Sequence, residues 1–273
     1  MSGMPQIIVG DIGNSAIKLA IAQRNDQGVV ELSNKLQWLH GDFNAAELER
    51  WAPSEEMHWC IASVHRSKTE MLKEWISSRR PNHHVQALTF TNLPLKILVD
   101  APEKVGIDRL LSAVAANHRR GDGEAAITIT AGTAVTVNAI DEQGAFLGGA
   151  ILPGWPLLAK ALHQYTDALP LVNDLCSINS LESTTSGRGT RDSIQAIGKN
   201  TQDAIRSGLY FGLLGAISRL IGEYESLLRS KAEIFYAGGD ASPIHHAIGR
   251  GVLAPDLVLE GVALAAFAGV ATT

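Results

Sequence analysis

A β-rich run, a tight turn and a second β-rich run occur twice in this chain, and that duplication constrains the fold more than any other feature. Ile8-Val9-Gly10-Asp11-Ile12-Gly13-Asn14-Ser15-Ala16-Ile17 has its counterpart in Ile127-Thr128-Ile129-Thr130-Ala131-Gly132-Thr133-Ala134-Val135-Thr136. Each copy continues through a further turn, Asp26-Gln27-Gly28 or Asp141-Glu142-Gln143-Gly144, into a third β-rich run. Related hairpin units that open two halves of a chain imply two similar domains. Turns of this kind can aim backbone N–H groups and small hydroxyls at phosphate oxygens, and a leading carboxylate can hold a hydrated divalent cation. The first copy has that carboxylate, Asp11, where the second has Thr130.

Between and after these units, strand and helix patterns alternate, which defines an α/β fold. Strands are expected over 6–10, 16–22, 29–36, 58–63 and 85–90, with helices near 44–51, 67–79 and 107–118. The polar stretch Arg120-Gly121-Asp122-Gly123 marks the expected boundary, giving domains 1–122 and 123–273. In the second, three strands over 125–152 precede a helix starting near Trp155, flanked by Pro153, Gly154 and Pro156. Residues 175–190, rich in Ser, Thr and Gly, read as a loop. A long helix is expected over 201–228, where Gly208, Gly212 and Gly215 would admit a close helix neighbour; a strand over 233–237 and a final helix complete the chain.

The 273 residues carry a formal net charge of -5 with a pI near 6.0 and no long basic run, so no nucleic-acid partner is expected. Two distant cysteines, Cys60 and Cys176, suggest neither a disulfide framework nor a zinc site, and a reducing cytoplasm is the expected setting. The first six residues lack the pattern of a secretory leader. The apolar stretch over 257–270 is shorter than the roughly 20 residues a membrane span needs, and reads as a buried terminal helix.

Four segments carry candidate chemistry. The turn from Asp11 through Ile12, Gly13, Asn14, Ser15, Ala16 and Ile17 to Lys18 is either a phosphate cradle or an ordinary hairpin built from favoured turn residues. Gly106-Ile107-Asp108-Arg109 is either a helix start with a stabilising acid or a general base beside an anion clamp. Gly148-Gly149-Ala150-Ile151-Leu152-Pro153-Gly154 and Ala237-Gly238-Gly239-Asp240 place glycines at strand ends, where ligands approach α/β sheets. Gly198-Lys199-Asn200-Thr201 lacks the earlier glycine of a P-loop, and Thr201 reads as a helix cap. The pairs His83-His84 and His245-His246 lack metal-ligand spacing and read as surface residues.

In this order, the segments resemble the type III pantothenate kinases, of the acetate kinase/sugar kinase/Hsp70/actin superfamily. Asp11-Ile-Gly-Asn-Ser15 is similar to the first phosphate motif, Gly106-Ile-Asp-Arg109 to the pantothenate-site motif and Gly132-Thr133-Ala134-Val135-Thr136 to the second phosphate motif. The resemblance implies two ribonuclease H-like halves with mixed sheets flanked by helices, a homodimer, and ATP-dependent phosphorylation of pantothenate, the first step of coenzyme A synthesis. It also implies that Asp108 takes the proton from the acceptor hydroxyl, that Gly106, Ile107, Arg109 and Thr201 bind pantothenate, and that residues Asp11 to Lys18, with Gly132 and Thr133, bind ATP and its Mg²⁺.

Two positions depart from the family pattern. Thr130 replaces an Asp associated with a K⁺ or NH4⁺ site, so a neutral hydroxyl stands where the family has a charge. Val99 replaces a Tyr of the acceptor site. Two other functions therefore stay open on the residues alone: a kinase-like nucleotide-binding or regulatory protein without turnover, and a kinase for another small hydroxy acid.

Overall fold

The computed structural model describes residues 6–39, 43–172 and 194–270, so the loop expected over 175–190 and Cys176 lie outside the described residues. The strands of the described residues form two sheets with the same plan. In the first, β1 (Ile7–Ile12), β2 (Ala16–Arg24), β3 (Val30–Leu39), β4 (His58–Ser63) and β5 (His84–Ala87) lie in the order β3-β2-β1-β4-β5. In the second, β6 (Ala125–Ala131), β7 (Ala134–Ile140), β8 (Phe146–Pro153), β9 (Ala232–Ala237) and β10 (Val252–Leu253) lie in the order β10-β9-β6-β7-β8. Read from the third strand of each, both sheets run 3-2-1-4-5.

Strand direction repeats as well. β1 is antiparallel to β2 and parallel to β4, and β6 is antiparallel to β7 and parallel to β9. An antiparallel pair needs only a short turn, whereas a parallel pair needs a crossover, and the helices supply it. The two mixed, helix-flanked sheets are those the family resemblance implies.

By compactness the chain forms two units, neither contiguous in sequence: residues 1–123, 142–148 and 256–273 make one, and residues 124–141 and 149–255 the other. The last helix, α7 (Leu257–Val270), belongs to the first unit because its apolar surface packs on α3 (Ile107–Arg119) and β1. Gly261 sits so close to the Leu111 carbonyl that a Cβ would not fit. Val262, Ala263 and Ala266 join Val9, Ala20 and Leu111 in one buried cluster. Arg119 donates from Nε to Glu260 Oε2 at 2.7 Å and fixes the rotation of α7 against α3.

The other face of the first sheet buries Ile8, Ile12, Ile17, Leu19 and Trp59 beneath α1 (Ala45–Trp51) and α2 (Arg66–Arg79). His83, expected on the surface, is buried instead: Trp59 Nε1 donates to its Nδ1 at 2.9 Å, and this polar indole contact needs a partner inside. The expected strand over 85–90 is shorter, ending at Ala87 before a 3-10 turn over Phe90–Asn92.

The second unit packs α4 (Trp155–Gln164) and α5 (Thr201–Leu228) on its sheet. Ile205, Leu209, Leu213, Ile217 and Ile221, on one stripe of α5, are buried. By length and composition α5 is apolar enough to cross a membrane. One stripe of it packs in the core of the second unit. Among the described residues, the glycines expected to receive a neighbouring helix, Gly208, Gly212 and Gly215, meet nothing within 4 Å of where a Cβ would stand. They lie on the open side of α5, beside the exposed Phe211.

Candidate active site

In the first unit the turn between β1 and β2 closes with Gly13 N–H donating to Ala16 O at 2.9 Å. Asp11, Ile12, Gly13, Asn14, Ser15, Ala16, Ile17 and Lys18 therefore occupy one hairpin end, with Asp11 directly across from Lys18 and Ile12 across from Ile17. Alternation along the strands divides their jobs: Ile12 and Ile17 are sealed in the core, so only their backbone can meet a ligand, while Asn14 is exposed and Asp11, Ser15 and Lys18 are half-buried.

Asp11 keeps one solvent-facing edge, yet protein crowds the rest of its carboxylate. Burial pushes its pKa up to about 6 from 3.8; the Lys18 charge offsets part of this and the Asp108 charge adds to it. The two acids that sequence spacing alone could not relate thus share one electrostatic neighbourhood.

Asp108 stands in the first turn of α3, whose N-cap is Gly106. Burial raises its pKa above the ordinary carboxylate value, while the backbone N–H groups of Arg109 and Asp108 and the Arg109 charge pull it down. Gly106 leaves room for the Asp108 carboxylate: a Cβ on it would lie 2.5 Å from Asp108 Oδ1. The clash would be with a movable carboxylate rather than backbone. Gly106→Ala is therefore expected to displace the Asp108 carboxylate, lowering kcat at least about ten-fold while changing the melting temperature little, as paired kinetics and thermal melts would show.

Arg109 lies with its guanidinium carbon 5.8 Å from the centre of the fully buried Phe146 ring. Phe146 also fixes the segment carrying Val99: it donates from N–H to Lys96 O and accepts at its O from Leu98 N–H, both at 2.8 Å. Val99 itself is half-buried next to Gly148, whose φ of +105° puts it in a region that favours glycine. Phe146 was missed in the sequence because it lies far from Arg109 along the chain and in a β-run that reads as ordinary core. Ile107 is half-buried against the cluster formed with α7.

The second unit builds its own turn at the end of β6 and β7. Gly132 N–H donates to Ala134 O at 3.1 Å, and Gly154 N–H donates to Thr133 O at 2.9 Å. Gly154 and Gly238, at the ends of β8 and β9, approach the backbone of Gly132 and Ala131 too closely for any side chain, and Asp240 N–H donates to Ala131 O at 3.2 Å. Three strand ends thus meet around Gly132 and Thr133, the place where ligands approach such sheets. Thr130, half-buried in β6, pairs with Thr136 on one side and Ala237 on the other.

Thr201 is the first residue of α5, exposed, and is not the cap: Asn200 is, accepting at its side chain from Asp203 N–H at 2.9 Å. Gly198 packs against the backbone of Asp203 and Ala204, which accounts for its place in Gly198-Lys199-Asn200-Thr201. Among the described residues no group of His, Cys, Asp and Glu is arranged to hold a metal by itself.

Duplicated 3-2-1-4-5 sheets, each opening on a glycine-containing hairpin turn, define the two-domain α/β fold shared by sugar kinases and actin-like ATPases. Among solved structures, a conserved Baf family protein from Campylobacter jejuni, described as a transcriptional activator, superposes with a TM-score of 0.60 at 17% identity, covering 97% of this chain and 100% of that one. A protein from Sinorhizobium meliloti described as a 2-dehydro-3-deoxygalactonokinase gives 0.53 at 13% identity, covering 96% of this chain and 98% of that one. Residues 7–223 match the family model for type III pantothenate kinase. The chain is 30% identical over 264 residues to the type III pantothenate kinase of Alkalilimnicola ehrlichii, spanning 95% of this chain and 97% of that one. It is 31% identical over 256 residues to that of Porphyromonas gingivalis, spanning 93% and 95%. The protein belongs to the type III pantothenate kinase family.

Proposed function

We propose that this protein transfers the γ-phosphoryl group of ATP to the primary hydroxyl of pantothenate, giving 4'-phosphopantothenate and ADP in the cytoplasm as the first step of coenzyme A synthesis. The observation that carries this reading is the family match over residues 7–223, in a chain that keeps Asp11 at a hairpin end across from Lys18 and Asp108 in the first turn of α3. Phosphoryl transfer needs both an acceptor base and a phosphate cradle, held close together.

In this reading, Asp108 accepts the hydroxyl proton as the acceptor oxygen attacks the γ-phosphorus and the bond to ADP breaks. Its backbone hydrogen bonds to the α3 N-terminus fix the direction in which its free lone pairs point. Arg109 pairs with the acceptor carboxylate, as a guanidinium suits a planar anion. Gly106 and Ile107 present backbone and a small apolar surface to the same substrate, together with Val99 and Thr201. Backbone N–H groups from Gly13 to Ser15, the Lys18 ammonium and the Gly132–Thr133 turn receive ATP. Mg²⁺ suits Asp11, because a crowded carboxylate with a raised pKa gains from a neighbouring cation; when bound, the ion supplies charge neutralisation at the phosphates.

The acceptor is tested by comparing kcat/KM for pantothenate with that for a panel of small hydroxy acids. Preference for pantothenate supports the reading, and a better acceptor elsewhere in the panel sinks it. The protein acts as a homodimer in this account, which the open side of α5 supports through exposed Phe211 and its bare glycines. Sedimentation at micromolar protein tests this.

Thr130 leaves no carboxylate at its position for a monovalent cation, so turnover is expected to depend little on K⁺ or NH4⁺. Thr130→Asp is then expected to raise activity several-fold in K⁺ over a Na⁺ or choline background. Wild-type turnover that already requires K⁺, with no added response in the variant, contradicts this.

A further inference from the structure

We propose that Lys68 is a positioning residue for the first phosphate turn, a role that rests on reading the Asp11–Lys18 turn as the ATP site. Nothing in the sequence marks Lys68: it lies in the polar first turn of α2. In the fold, however, its Nζ donates to Asn14 O at 2.7 Å and to Gly13 O at 3.3 Å. Two consecutive turn carbonyls thus point at one ammonium.

Peptide planarity makes this contact directional. In a trans peptide the C=O of one residue is opposed to the N–H of the next, so carbonyls drawn toward Lys68 send the N–H groups of Asn14 and Ser15 the other way. Successive N–H groups facing outward form the concavity that phosphate prefers. Without Lys68, either peptide can rotate and present its carbonyl, a partial negative charge, to the phosphate.

Lys68 is itself held in place. The imidazole of His65 caps α2 and accepts from Lys68 N–H, and Thr69 Oγ1 donates to His65 O at 3.0 Å. Thr69 Oγ1 also lies at hydrogen-bond distance from Ser63 Oγ, which ties the start of α2 to the end of β4. Among the described residues no carboxylate forms a salt bridge with Lys68. Its positive charge is therefore not cancelled locally and adds to the attraction for a polyanion at the turn. Lys18, on the hairpin itself, faces Asp11 across the strands and has a separate role.

The test compares full-length wild type, K68Q and K68R by steady-state kinetics and by calorimetric titration with Mg·ADP. K68Q is expected to raise KM for ATP and Kd for ADP about ten-fold, leaving KM for pantothenate and the melting temperature unchanged, and K68R to restore most of the loss. Unchanged nucleotide affinity in K68Q, or equal losses toward ATP and pantothenate, overturns the positioning role while the ATP site stands. If wild type binds no Mg·ADP and Asp11→Asn changes nothing, the ATP site itself is wrong and the role of Lys68 falls with it.

Discussion

Asp108→Asn is expected to lower kcat by between about 10² and 10⁴-fold, the range that removal of a positioned general base produces, while leaving nucleotide affinity near wild type. The substitution keeps the shape of the side chain and its place at the α3 N-terminus but can no longer accept the hydroxyl proton. The pH profile gives a second readout. Burial raises the pKa of Asp108, so the acid limb of kcat/KM lies above the ordinary carboxylate value of 3.8, and activity falls as the pH drops through it. That limb should vanish with the carboxylate. A variant retaining more than a tenth of wild-type kcat with the same acid limb would assign the base to another residue.

The second large effect is a trade between activity and stability at Asp11. The sign follows from the direction of its shift: the folded pKa is about 6 against 3.8 in the unfolded chain, so the folded state binds the proton more tightly. Stability linked to Asp11 is fully present below pH 3.8 and is lost as the pH rises through 6. At neutral pH the ionised carboxylate is therefore a burden, on the order of 1–2 kcal/mol once its solvent-facing edge is discounted. Asp11→Asn is expected to melt a few degrees higher than wild type at pH 7.5 without Mg²⁺, and to lose that advantage near pH 4. The same variant should lose most Mg·ATP-dependent activity. Equal or lower melting temperature at pH 7.5 would show that Lys18 already compensates the buried charge.

The strand plan was legible because it rests on local chemistry. β-rich runs on either side of Gly13-Asn14 and Gly132-Thr133 specify hairpins, and the copying of that pattern pointed to two related halves. The turns around Gly154 and Gly238 were legible as glycine positions, though not as a convergence on residues 131–133, since that depends on strands distant in sequence coming to lie side by side. The C-terminal helix showed its apolar composition and its burial but not its address: a helix apolar on nearly every side can pack on any sheet, and Gly261 against Leu111 settles where it goes.

At the candidate site, the acids and the arginine were visible because turn and helix-start motifs expose them. The effect of the Asp108 charge on Asp11 was not, because the two lie almost a hundred residues apart and are related only through the fold. Supporting residues were hidden for the same reason. Phe146 reads as a core aromatic until Arg109 is seen over its ring, and Lys68 reads as a solvated lysine until two carbonyls are found at its tip. His83 misled in the opposite direction, since a histidine in a polar loop gave no sign of the indole that draws it inward.

The most direct test of the account is product formation by the unmodified chain. Wild-type protein incubated with ATP, Mg²⁺ and pantothenate, followed by ³¹P NMR, is expected to yield 4'-phosphopantothenate and ADP in equal amounts, with none formed by Asp108→Ala. A wild-type signal no greater than that of Asp108→Ala would contradict the account.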